Sequence, residues 1–152
     1  MTSTSPSPDQ QIFNAVIEAG GLDAGLKFLN ERTAYRYTAI YRFEGSLMRN
    51  IHLYDRQGED SPSLKAVPLG DSFCQFVMAE DGFATGDSAS DGRLDGHKYQ
   101  GVLNSYFGLP LLREPGKIYG TFCHFDFDPQ NIPDSEIPFL EAVMPQLVQH
   151  LP

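Results

Sequence analysis

Residues 105–128 read "SYFGLPLLREPGKIYGTFCHFDFD". Two apolar, aromatic-rich runs, "SYFGLPLL" and "IYGTFCHFDFD", flank "REPGK", where Pro115 and Gly116 set a tight corner, so the stretch predicts a β-hairpin. Successive side chains of a strand point to opposite faces. That alternation puts Tyr119, Thr121, Cys123, Phe125 and Phe127 on one face and Ile118, Gly120, Phe122, His124 and Asp126 on the other. Cys123 and His124 are chain neighbours, yet parity separates them, and they make no nucleophile–base dyad. Cys123 reads first as a small buried hydrophobe and second as the lining of a pocket. His124 reads as a strand histidine with its hydrogen bonds satisfied.

Upstream, Tyr35, Tyr37, Ala39, Tyr41 and Phe43 alternate with Arg36, Thr38, Ile40, Arg42 and Glu44, a second strand with one aromatic face. "EGS" turns the chain into "LMRNIHLYD", its partner, and "RQGEDSPS" is a loop. Before these strands, Ile12, Phe13, Val16 and Ile17 recur at helical spacing until Gly20 and Gly21 stop them. A second helix buries Leu22, Leu26, Phe28 and Leu29. In "DSFCQFVMAEDG", Asp71 or Ser72 caps a short helix with Phe73, Cys74, Val77 and Met78 on one face, and Gly82 ends it. Cys74 thus lies near a helix N-terminus, where backbone N–H groups and the macrodipole favour a thiolate, against the plainer reading of core packing. "FATGDSASDGRLDGHKY" is a short extended piece and a polar loop able to close over a ligand. At the end, Asp134 or Ser135 caps a helix with the apolar stripe Ile137, Leu140, Val143, Met144, Leu147, Val148 and Leu151; Pro145 is expected to kink it.

The chain has 152 residues, 41% of them hydrophobic, which suits one globular domain. Its net charge of −9 weighs against a nucleic-acid partner and against an anionic membrane surface. No apolar run has the length of a membrane span. "MTSTSPSPDQQ" is too polar to build a core, so residues 1–9 are expected to form a flexible tail and 10–152 a single domain. No secretory signal precedes the two cysteines, which are expected to be reduced in a cytoplasmic protein. Asp126, Asp128 and Asp134 match no calcium-loop spacing, and no metal is expected. The element order predicts an α+β fold: an antiparallel sheet of five to six strands, with the terminal helices on one face and the middle ones on the other.

Ser72-Phe73-Cys74, Asp87, Asp91-Gly92-Arg93, Tyr106-Phe107-Gly108-Leu109-Pro110-Leu111, Gly120-Thr121-Phe122-Cys123 and Asp126 follow one another in that order. This ordered set resembles the GAF family of small-molecule sensor domains, from about Gly21 to Leu151. The resemblance implies a pocket between the sheet and the middle helices and loops, and dimerisation through the terminal helices. It leaves the ligand and any cofactor unknown. The Cys-His pair sits in a strand rather than on a helix, unlike bilin-attaching members, and the signature of cyclic-nucleotide binders is not present. Phe43, Cys74, Met78, Asp87, Arg93, His97, Tyr106, Thr121, Cys123 and Phe125 are the ligand-binding candidates. Arg93 or His97 is expected to close on a polar or anionic ligand, and the family register brings Cys74 towards Cys123, where a reversible disulfide is conceivable. The resulting expectation is a non-catalytic sensor that signals through its terminal helices to a partner such as a histidine kinase. The alternatives are a thiol-dependent reductase of the free methionine sulfoxide reductase type and a ligand-free dimerisation module.

Overall fold

The computed structural model describes residues 7–58, 66–68, 73–80, 82–97, 99–114 and 116–152. The first helix, α1, spans Pro8–Glu31. The Ser7 hydroxyl accepts from the Gln10 backbone N–H at 3.2 Å, and the Gln10 side chain accepts from the Ser7 N–H at 3.3 Å, while Pro8 fills the first turn. That reciprocal capping starts the helix two residues ahead of the expected boundary, correcting the tail to exclude residues 7–9; residues 1–6 lie outside the described ones. Gly21 adopts φ 75° and ψ −165°, so α1 is two helical segments joined at a kink, at the glycine pair read as a stop.

The strands are β1 (Tyr37–Glu44), β2 (Leu47–Asp55), β3 (Ala66–Pro68), β4 (Phe83–Thr85), β5 (Ser105–Glu114) and β6 (Lys117–Asp126). They form one six-stranded antiparallel sheet in the order β3-β2-β1-β6-β5-β4. Helix α2 (Cys74–Glu80) lies between β3 and β4, and α3 (Glu136–Val148) follows β6. Two single turns of 3-10 helix, Ser88–Ser90 and Gly92–Leu94, fill the β4–β5 connection. Sequence reading missed β3, a three-residue edge strand too short to show a period. The expected caps Asp71 and Ser72, and the corner residue Pro115, lie outside the described residues; Gly116 takes the positive φ of the corner, 77°. Among the described residues no helix is long and apolar enough to cross a membrane.

Both faces of the sheet are covered, so both faces of its central strands are buried. On one face Phe13, Ile17, Leu26 and Leu29 of α1 and Leu140, Val143 and Leu147 of α3 pack on Ile40 and Phe122. On the other, Phe73, Cys74 and Val77 pack on Tyr37, Ala39, Tyr41, Tyr106, Cys123 and Phe125. Parity therefore holds through the middle of β6: Cys123 faces α2 and His124 faces the terminal helices. It fails at the end. The β5–β6 register passes from Leu111↔Gly120 to Leu112↔Ile118, leaving Tyr119 as an extra residue, and this bulge turns Tyr119 into the terminal-helix core rather than onto the Cys123 face. Tyr35 likewise departs from the expected aromatic face: it precedes β1 and stacks on His124 with ring centroids 5.4 Å apart.

One ion pair ties the terminal helices together. Arg32, at the C-terminal end of α1, donates to both carboxylate oxygens of Glu136 at 2.9 Å and lies 3.8 Å over the Phe139 ring. The Glu136 side chain is only 7% exposed. Glu136→Gln removes the charge from this forked pair and is expected to cost about 2 kcal/mol in urea denaturation. A loss below about 0.5 kcal/mol would make it an ordinary surface pair. Proline 145 is accommodated inside α3, which runs on to Val148.

Candidate functional site

The α2 face of the sheet is organised in rows set by strand register. Tyr37, Phe125 and Tyr106 stand side by side across β1, β6 and β5, their rings 4.9 and 6.5 Å apart at the centroids. The next row is Ala39, Cys123 and Gly108, all small, and beyond it Tyr41 pairs with Thr121. Small side chains between two bulky rows leave a hollow in the floor. The Tyr106 ring and Val77 of α2 reach into it: a Cβ on Gly108 would stand 2.6 Å from the Tyr106 hydroxyl and 2.6 Å from Val77 Cγ2. Gly108 thus lets the tyrosine lie along its own strand.

The Tyr106 hydroxyl meets Cys74 Sγ at 3.4 Å, and Cys74 Sγ meets Thr121 Oγ1 at 3.3 Å. Cys123 adjoins the same hydroxyl and points its thiol at the Ala39 carbonyl, 3.8 Å away. Burial, with Cys74 beside it, pushes the Cys123 thiol well above its ordinary pKa, and burial does the same to the Tyr106 phenol. These two groups stay protonated at neutral pH. Cys74, Tyr106, Thr121 and Cys123 therefore make a polar centre, enclosed by Phe73, Tyr37, Phe83 and Phe125. Cys74 opens α2, but α2 has only seven residues and the thiol is buried.

The β4–β5 connection lies over this centre. The His97 ring is 4.7 Å from Phe73 and 5.9 Å from Phe76 at the centroids. Its Nδ1 accepts from the Tyr99 N–H at 3.0 Å, and its Nε2 lies 3.3 Å from the side-chain amide nitrogen of Gln75. Arg93 is anchored in the loop itself: it donates to Asp91 at 2.6 Å and to the Ala84 carbonyl at 2.7 Å, with its guanidinium 4.7 Å over Phe83. That contact holds the Asp91 carboxyl well below the usual carboxylate range. Asp87 is exposed at the start of the first 3-10 turn and makes no side-chain cap.

The fold thus gathers Cys74, Tyr106, Thr121, Cys123 and Phe125 in one place, with His97 at its edge. It sets Arg93 and Asp87 in the loop and leaves Phe43, 36% exposed, at the far end of β1. The side chain of Met78 lies outside the described residues. Sequence reading missed Tyr37 and Phe73 as walls of the centre and Gln75 as the partner of His97; the period-two pattern had already put Tyr37 on the correct face. Asp126 caps local backbone instead of joining a metal cluster, accepting from the N–H groups of Arg36 and Asp128 at 3.0 Å each. Among the described residues no three His, Cys, Asp or Glu side chains gather as metal ligands.

No protein-family model matches the chain, and no curated protein matches it. Solved structures do. The GAF domain of a phosphoenolpyruvate-protein phosphotransferase from Acinetobacter aligns over 97% of this chain and 93% of its own, with a TM-score of 0.73 and 15% identity. The fRMsr of Staphylococcus aureus in its reduced form aligns over 100% of both chains, at TM-score 0.71 and 18% identity. A type II free methionine-R-sulfoxide reductase from Thermoplasma acidophilum aligns over 94% of this chain and 97% of its own, at TM-score 0.66 and 16% identity. At this level of identity the likeness shows the fold and nothing finer: the chain is a GAF-like α+β domain.

Proposed function

We propose that this chain is a sensory domain that takes a small hydrogen-bonding metabolite on the α2 face of its sheet. The observation that carries the reading is the polar centre of Cys74, Tyr106, Thr121 and Cys123, set inside aromatic walls over the small-residue row Ala39, Cys123 and Gly108. A metabolite that displaces the Tyr106 ring from Gly108 gains this hollow together with hydroxyl and thiol partners. Strand β6 offers a route outward. Cys123 faces the centre, and His124 beside it bonds Thr38 at 2.7 Å, which accepts from Asn30 of α1 at 2.9 Å. A ligand that prefers one position of β6 biases the terminal helices, the proposed surface for a homodimer and for an output partner such as a histidine kinase. A cytoplasmic setting fits reduced, buried thiols.

A thermal-shift screen of cell metabolites tests the reading. At least one compound is expected to raise the melting temperature, and Thr121→Val, which removes one hydroxyl from the centre, to weaken that compound about tenfold. No stabilising compound, or full retention of the effect in the variant, would contradict it.

A second reading rests on the cysteines converging on Tyr106 and on the likeness to the reductases. In that reading the chain reduces free methionine sulfoxide through Cys74 or Cys123. Its expectation is turnover that disappears in Cys74→Ser or Cys123→Ser. The protonated, buried Cys123 thiol weighs against it, since the thiolate is the nucleophile. Absence of turnover in the unmodified protein would end it.

A further inference from the structure

A second candidate site lies at the opposite end of the sheet, independent of the α2-face reading. The end of β1 and the β5–β6 hairpin border a cavity of about 240 Å³ lined by Arg42, Phe43, Arg113, Glu114, Lys117, Ile118 and Tyr119. In a chain of net charge −9, three of the eleven Lys and Arg residues meet here. Arg42 also stands directly across from Arg49 in the β1–β2 ladder, a like-charge pair that costs stability. Nearby acids do not neutralise the arginines. Glu44 is taken by Arg49 at 3.0 Å and Glu114 by Lys117 at 3.2 Å. Among the described residues neither Arg42 nor Arg113 pairs with an Asp or Glu; Arg113 donates to the Leu151 carbonyl at 3.3 Å and to an oxygen of the last residue, Pro152, at 2.7 Å, which leaves Arg42 as the cation without an anionic partner.

Both guanidinium groups lie over one ring, Arg42 at 5.3 Å and Arg113 at 4.6 Å from the Tyr119 centroid. Tyr119 is 7% exposed, and its hydroxyl is buried without a hydrogen-bond partner. Buried polar groups are nearly always paired, so an orphan hydroxyl on a ring that lines the cavity and lies under two guanidinium groups marks an incomplete set of contacts. The bulge described above is what brings Tyr119 to this place.

We propose that this cavity binds a small oxyanion, a phosphate or carboxylate group, through Arg42 and Arg113 with Tyr119 as a hydroxyl donor. Guanidinium forks match the two oxygens of such groups. Phe43, singled out from the sequence as a ligand residue, belongs to this cavity rather than to the α2-face centre.

The test measures binding of inorganic phosphate and of succinate to the full chain by NMR titration, with sodium chloride at matched ionic strength as reference. Saturable shifts at residues of the β1 end and the β5–β6 hairpin are expected, with a dissociation constant of about 1 mM for at least one of the two anions, and at least tenfold weaker binding in Arg42→Gln and Arg113→Gln. The stronger of phosphate and succinate identifies the source. Tyr119→Phe removes only the orphan hydroxyl, so it is expected to melt no lower than the parent chain in the absence of anion yet to bind severalfold more weakly. Shifts equal to those in sodium chloride, or equal binding by the parent and both arginine variants, would overturn the proposal. If only polyanionic macromolecules bind, and neither small anion does, it is likewise overturned. A missing ligand at the α2 face leaves this outcome unaffected.

Discussion

Between pH 7 and pH 5 the protein is expected to lose about 2 kcal/mol of unfolding free energy through His124 alone. His124 is fully buried between Tyr35 and Phe122. Burial, and secondarily the positive charge of Arg56, lowers its pKa from 6.5 to about 3. The sign follows from which state takes the proton first. Well above pH 6.5 the ring is neutral in both states and the term vanishes. As pH falls, the unfolded chain protonates its histidine while the folded chain cannot, so stability drops by up to about 1.4 kcal/mol per pH unit until pH nears 3. The Nε2 atom, which has no partner, offers the proton no compensating acceptor.

Urea denaturation at pH 7 and pH 5 measures the drop, and His124→Asn isolates it. Asparagine keeps a group that pairs with the Thr38 hydroxyl and has no titrating ring. The variant is less stable at pH 7 but is expected to lose about 2 kcal/mol less than the parent on going to pH 5. Parallel losses in the two proteins would show that His124 is not held neutral. The same result would weaken the proposed route from the centre to α1, which runs through this histidine.

Gly120→Ala is expected to remove about 3 kcal/mol or more, or to leave the chain unfolded. Gly120 pairs with Arg42 where β6 crosses β1 in the centre of the sheet. A Cβ there would run into the Tyr41 carbonyl, 2.8 Å from its carbon and 2.9 Å from the Arg42 Cα, and neither backbone atom can rotate away. Relief requires the two central strands to separate. Gly45→Ala is the control: Gly45 has φ 64° and open space around it, so the substitution costs only the left-handed backbone term, about 1 kcal/mol. Equilibrium denaturation of both variants gives the comparison. If Gly120→Ala is no costlier than Gly45→Ala, the β1–β6 register is wrong, and the rows that define the candidate site fall with it.

Much of this architecture is legible in the sequence because it depends on short-range pattern. The switch from helical to alternating spacing at Tyr35 locates the sheet, the Pro-Gly corner locates the hairpin, and parity alone separates Cys123 from His124. What is not legible depends on irregularity or on distance along the chain. One extra residue in β6 moves Tyr119 to the other face, and no local pattern announces a bulge. The capping box at Ser7 is spelled by Ser7 and Gln10, but the Ser and Pro content around it points to a tail. The Cys74–Tyr106–Thr121 contacts join residues 32 and 47 positions apart, and only the register of the sheet brings them together. Arg93 illustrates the opposite limit: its charge suggested a ligand, whereas Asp91 two residues away and the Ala84 carbonyl engage it.

Native mass spectrometry of the protein taken directly from cells tests the central claim, a metabolite held at the α2-face centre, most directly. The expected result is a fraction of the protein carrying one discrete small-molecule mass that disappears on denaturation and is depleted in Thr121→Val. Bare protein alone, under conditions gentle enough to keep a reference complex intact, would contradict the claim and leave the GAF-like fold acting without a ligand.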